Sequence, residues 1–216
     1  VKASTLPSAE YFARLWCHEA LRVFADRLID DNDRAYFRQR IAEATRSAFK
    51  QPAVAEEVEA AGVRLVFGDF LHPGVPHDER RYELAAAPEK LPGLLDGYLD
   101  EYNLNNKEMR LVFFWDAVEH ISRLCRILRQ PRGNAMLVGV GGSGKQSLTR
   151  FAAHVSEMEC FQIELTKGYG YNEFREDLKQ LYFRTGCDGK PVVFLLSDTQ
   201  LVSEAFLEDV NNILNS

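Results

Sequence analysis

Cysteine is scarce, and the four present, Cys17, Cys125, Cys160 and Cys187, stand far apart with no CxxC pair. That spacing suggests neither a zinc site nor a disulfide framework and fits a reducing cytoplasm. No apolar run approaches the ~20 residues needed to span a bilayer. The opening VKASTLPSAEYF also lacks a secretory h-region, so no membrane partner is expected. Positive charge is not in excess: 26 Lys+Arg against 32 Asp+Glu leave a net charge of −6. The basic residues are scattered rather than gathered in a stripe, which argues against nucleic acid as a partner. Internal repeats, coiled-coil heptads and low-complexity tracts are missing as well. The chain begins on Val1 and ends on the helical pattern NNILNS, and it reads as a fragment.

What is there is a hydrophobic fraction of 46% in 216 residues, enough for one large domain or two small ones. From Ser8, a candidate N-cap, Phe12, Leu15, Trp16, Ala20, Val23, Phe24 and Leu28 recur at helical spacing. Asp30, Asp31 and Asn32 interrupt the pattern. A second helix follows in DRAYFRQRIAEATRSAF, with Tyr36, Phe37, Ile41, Ala44, Ala48 and Phe49 on one side. Residues 1–50 thus read as a small helical unit. Residues 51–110 carry most of the prolines, a short strand candidate in RLVFGDF and a helix near LLDGYLDEYN, and read as an irregular connector.

From Leu111 strands and helices alternate. VFFWDAVEHISRLCRILRQ is helical, AMLVGV is expected as a short buried strand, and a glycine-rich loop and a helix follow. Then come a strand in CFQIEL, a helix around NEFREDLKQLYF, a strand in VVFLLSD and a helix in LVSEAFLEDVNNIL. Such alternation predicts a parallel sheet covered on both faces.

The loop spans Gly139 to Lys145, with four residues between Gly139 and Gly144. Glycines there let backbone N–H groups curl around phosphate oxygens, and the next helix aims the positive end of its dipole at the same place. Gly141, Gly142 and Ser143 are expected to supply loop amides, and Lys145 to reach the β/γ-phosphates. The bland alternative is a glycine turn that only tightens a strand-to-helix connection. The residue after such a lysine normally offers a hydroxyl to Mg²⁺, but Gln146 offers an amide. Ser147 arrives one position late, about 100° further round the helix. Mg²⁺ binding is therefore expected to be weakened.

A P-loop ATPase of the AAA+ type usually ends an apolar strand on Asp-Glu. Here Val193, Phe194, Leu195 and Leu196 lead to Ser197 and Asp198. One register puts serine at the metal position and Asp198 at the water-polarising position; the other makes Asp198 the metal-side acid and leaves Thr199 beside it. Either leaves one carboxylate where two are expected, so ATP or ADP binding is predicted and fast hydrolysis is not. The structural alternative is that Asp198 caps the following helix. His120 reads as a core histidine or an adenine neighbour, KGYGYNEF as an interface loop or helix start, and Arg22 as either a nucleotide-sensing arginine or a solvated side chain.

The blocks LWCHEALRVFADRLIDD, FFWDAVEHISRLCRILRQPRGNAMLVGVGGSGKQSLTRFAAHV, FQIELTKGYGYNEFREDLK and FLLSDTQLVSEAFLEDVNNILNS resemble axonemal dynein heavy chains at the join of the third and fourth AAA+ modules. The resemblance implies an α/β P-loop NTPase (AAA+) fold, a parallel sheet with flanking helices preceded by an all-helical lid. Residues 1–50 would be the lid of one module, 51–110 a connector, and 111–216 the first part of the next α/β subdomain. It further implies a structural or regulatory nucleotide site in a microtubule motor of cilium or flagellum. The partners implied are the other AAA+ modules, dynein intermediate and light chains, and microtubules. A free-standing P-loop NTPase or nucleotide kinase, and a ring module with an empty loop, remain open at this stage.

Overall fold

The computed structural model describes residues 6–60 and 64–215. By contacts the chain divides into two units, one running to Leu71 and resuming over Arg81–Leu91, the other made of His72–Arg80 and the chain from Pro92 onward. Ser8 does cap the first helix of the first unit: its hydroxyl accepts the Tyr11 N–H at 3.0 Å, and α1 runs over Ala9–Phe24. The buried stripe, however, is one residue round from the one expected. Ala13, Cys17, Ala20 and Leu21 are buried, whereas Phe12, Val23 and Phe24 are exposed. Apolar spacing fits both faces, and the face with small residues is the one that lets neighbouring helices approach.

Those neighbours are α2 (Asp31–Ala44) and α3 (Pro52–Glu59). The acidic interruption read from sequence is the N-cap of α2, with Asp30 accepting the Asn32 N–H at 2.6 Å. A wider turn, Thr45–Phe49, extends α2 to Lys50, whose φ of 56° ends it. Ile41, Val54 and Val58 close on Ala13, Cys17 and Ala20, and Trp16, Phe37 and Phe49 pack at the margin. Tyr36, expected on the buried side, is exposed, with the Arg40 guanidinium over its ring at 5.2 Å. The unit takes in more than the first fifty residues, since α3 belongs to it, as does a two-stranded antiparallel ribbon of β1 (Phe67–Gly68) and β2 (Glu83–Leu84).

The second unit contains most of α4 (Leu91–Asn105), then α5 (Trp115–Arg129) and α6 (Lys145–Val155). α5 buries Val118, Ile121 and Leu124, α6 buries Phe151, Ala152 and Val155, and Phe113 stacks on Phe151 at 5.2 Å. β3 (Glu159–Phe161) and β4 (Val192–Phe194) pair in parallel, in the register Cys160↔Val193, with α7 (Tyr171–Tyr182) connecting them. The last helix, α8 (Ala205–Asn215), inserts Phe206 flat against Phe174, ring centroids 4.1 Å apart, in a core with Ile163, Leu178 and Leu181. The expected alternation of strands and helices is present from β3 onward, around one parallel pair.

The strand expected at residues 135–140 does not form. Met136, Val138 and Val140 are 91%, 83% and 79% exposed, and the segment has no ladder partner among the described residues. An apolar run records a preference for burial, but a strand also needs a neighbour to satisfy its N–H and C=O groups.

Near the C-terminal end of α6, His154 is half-buried edge-on to Tyr102, its Nε2 atom buried without a hydrogen-bond partner among the described residues. Burial lowers its pKa below the ordinary value near 6.5, against the opposing pull of Glu101 and Glu157. A base with a depressed folded-state pKa favours folding fully above its unfolded value, and that contribution is lost as pH falls through 6.5 toward the folded value. The melting-temperature gap between wild type and His154→Leu should therefore shift toward the variant between pH 7.5 and 5.5. A gap independent of pH over that interval would show that His154 titrates alike in both states.

Candidate functional site

The glycine loop and the first turn of α6 form one local arrangement. Gly142 and Gly144 hold φ values of 76° and 81°, a left-handed region that disfavours side chains, and Gly144 is the N-cap of α6. A Cβ at Gly141, Gly142 or Gly144 would meet nothing within 4 Å, so the backbone there is open to approach. Lys145 is the first residue of the helix, and its Nζ donates to the carbonyls of Gly139 and Val140, each at 2.8 Å, and to Ser143 Oγ at 3.1 Å. The side chain thus draws Gly139, Ser143 and Lys145 together over a helix end whose first N–H groups lack intrahelical acceptors. Gln146 is exposed and Ser147 half-buried on the same first turn.

Ser197 and Asp198 sit at the end of β4 in a separate turn, with no hydrogen bond or ion pair to the loop among the described residues. The cap that was the structural alternative for Asp198 belongs to Ser197. Ser197 is the N-cap of a 3₁₀ turn over Asp198–Gln200, and its N–H and Oγ both donate to Gln200 Oε1, at 2.8 and 2.9 Å. Asp198 is exposed, and its Oδ1 accepts the Thr199 N–H at 3.0 Å. Gln200 was not among the candidates, although Ser-x-x-Gln is the spacing of a capping box and made it legible.

Among the described residues there is no group of three His, Cys, Asp or Glu side chains that could hold a metal. Mg²⁺ bound with a nucleotide needs no such cage, since one or two protein oxygens and the phosphates suffice. Asp198, with its second oxygen accepting nothing among the described residues, fits as one such oxygen.

The other candidates resolve locally. His120 is exposed on α5, so it is not a core histidine. Arg22 pairs with Asp26 at 3.4 Å. KGYGYNEF is a helix start: Gly168 turns at φ 86°, Gly170 caps α7 while its N–H donates to Glu173 at 2.9 Å, and the Tyr169 hydroxyl donates to Asp177 at 2.5 Å. Burial, then the Asp177 carboxylate, push the Tyr169 hydroxyl well above its usual range.

The glycine loop lies at the N-terminus of α6, and the same unit carries one parallel strand pair. Residues 109–216 match the family described as P-loop containing dynein motor region D4, and the chain belongs to it. It is 51% identical over 205 residues to human dynein axonemal heavy chain 6 and 47% identical over 204 residues to mouse dynein axonemal heavy chain 1. It is also 46% identical over 212 residues to the Chlamydomonas reinhardtii dynein-1-beta heavy chain of the flagellar inner arm I1 complex. These alignments cover 94%, 94% and 97% of this chain, and the chain spans 5% of the length of each relative.

Proposed function

We propose that residues 139–147 bind ATP or ADP as a structural or regulatory site, with weak or no hydrolysis, in a dynein-like microtubule motor heavy chain. The single observation that carries the reading is the loop itself, with left-handed Gly142 and Gly144, a helix N-terminus that no side chain caps among the described residues and the Lys145 ammonium all at one point. In this reading the amides of Gly141, Gly142, Ser143 and Gly144 would hold phosphate oxygens and Lys145 would neutralise them. Asp198, with Ser147 as the alternative, would hold Mg²⁺, which supplies charge neutralisation across the phosphates.

Weak hydrolysis is supported by the acidic turn, because the Ser197 hydroxyl is spent on Gln200 and Asp198 is the one carboxylate there. Phosphoryl transfer depends on positioned charge, and a second acid to orient water is missing from this motif. Residues 1–50 would serve as the lid of a preceding AAA+ module, 51–110 as a connector, and 111–216 as the start of the next α/β subdomain. The other modules of the ring, intermediate and light chains, and microtubules would be the partners, in the axoneme of a cilium or flagellum.

The test is the nucleotide content of the full heavy chain after desalting. Wild type should retain one more nucleotide per chain than Lys145→Ala, and the extra nucleotide should turn over more slowly than the chain as a whole. Equal content in the two proteins would mean that the loop is empty, and turnover of the extra nucleotide at the whole-chain rate would contradict weak hydrolysis.

A further inference from the structure

Gln200 is 6% exposed, and every polar atom of its amide has a partner fixed in sense. Its Nε2 donates at 2.5 Å to the carbonyl of Ile163, just past β3, and a carbonyl can only accept. Its Oε1 accepts the Ser197 N–H at 2.8 Å, and an N–H can only donate. The amide therefore has one orientation, and in it the Ser197 hydroxyl also donates to Oε1, at 2.9 Å. With its proton committed there, Ser197 Oγ lies 3.0 Å from Thr199 Oγ1 and accepts the threonine proton. Both hydroxyls are engaged in the turn.

The consequence falls on Asp198, which stands between Ser197, held by the Gln200 amide, and Thr199, whose hydroxyl closes on Ser197. Ser197 is held extended, at φ −108° and ψ 157°, and Asp198 starts the turn with its carboxylate outward. We propose that Gln200 is a positioning residue. It anchors the acidic turn to the chain beyond β3, presents Asp198 as the only metal-side oxygen of the motif, and withdraws Ser197 from that role. The inference rests on the reading that the glycine loop binds a nucleotide with Mg²⁺. It also gives Ser197 a positive function, as the cap that a carboxylate at this position would break by facing Gln200 Oε1.

The test is equilibrium binding of a fluorescent ATP analogue to the full heavy chain, with and without Mg²⁺, taking the part of the signal that Lys145→Ala removes. The Mg²⁺ factor is the ratio of the two affinities. Gln200→Met should lower that factor about tenfold, as loss of a partner that orients a metal ligand does, while leaving binding without Mg²⁺ unchanged. Asp198→Asn should lower it as much, Ser197→Ala should leave it nearly intact, and Gln200→Met added to Asp198→Asn should change nothing more. Four outcomes overturn the proposal: a factor that Asp198→Asn does not move, a factor that Gln200→Met does not move, a loss in Ser197→Ala equal to that in Asp198→Asn, or equal losses with and without Mg²⁺ in Gln200→Met. If Lys145→Ala removes no signal, the failure lies in the nucleotide reading and shows itself separately.

Discussion

Replacing Lys145 by alanine should weaken nucleotide binding at the glycine loop by about a hundredfold, equivalent to ~2.7 kcal/mol. Among the described residues the ammonium is the one cation that the loop geometry brings to Gly139, Val140 and Ser143, and charge-assisted bonds to phosphate are the strong ones. The substitution should cost the fold little. Lys145 donates only to loop atoms that face solvent, and changes at such positions usually stay within about 0.5 kcal/mol. Fluorescence titration gives the affinity and a thermal melt gives the control. A dissociation constant within threefold of wild type, with an unchanged melt, would remove Lys145 from the site.

The loop was legible because everything that defines it is local. Glycines at fixed offsets, a lysine and a helix pattern lie within a dozen residues, and the left-handed Gly142 and Gly144 follow from that spacing. The same locality made Ser8 and Asp30 readable as starts of α1 and α2. The acidic turn was half legible. Ser197 and Asp198 are departures from an Asp-Glu pair, whereas the capping box that Ser197 makes with Gln200 lies in the Ser-x-x-Gln spacing, which an acidic-pair pattern does not contain.

What the sequence could not convey depends on distant partners. Residues 135–140 have the composition of a buried strand and remain exposed, because hydropathy does not name the neighbouring strand. Which face of α1 is buried turned on whether α2 and α3 would meet Phe12 and Val23 or the smaller Ala13 and Cys17. The π-turn at Thr45 is equally nonlocal in origin: the Thr45 hydroxyl donates to Ile41 O at 2.8 Å and lies 3.2 Å from Cys17 Sγ, 28 residues away.

Arg80 is the clearest case of a long-range determinant, and its removal should have the largest effect on stability. Nothing marks it in the charged stretch GVPHDERRYEL, yet its side chain is 3% exposed in the second unit. Nε donates to Val75 O at 2.8 Å, Nη1 donates to Val155 O at 2.7 Å, and Nη2 pairs with Glu157. The guanidinium thus ties the His72–Arg80 segment to the C-terminal carbonyl end of α6, where a cation also complements the helix dipole. Arg80→Met keeps much of the apolar stem and leaves two carbonyls without their donor, at a cost of about 3 kcal/mol. Glu157→Gln removes only the charge of a partner that is 46% exposed, and should cost under about 1 kcal/mol. Arg80→Lys should fall between them, since one ammonium cannot reproduce the three-way fork. The two tryptophans allow the measurement to be confined to the right unit, because Trp16 lies in the first and Trp115 in the second. In the 216-residue chain carrying Trp16→Phe, urea unfolding followed by Trp115 fluorescence reports the second unit. An Arg80→Met midpoint no lower than that of Glu157→Gln would mean that the two carbonyls find other donors, and that the connection between residues 72–80 and α6 does not depend on the guanidinium.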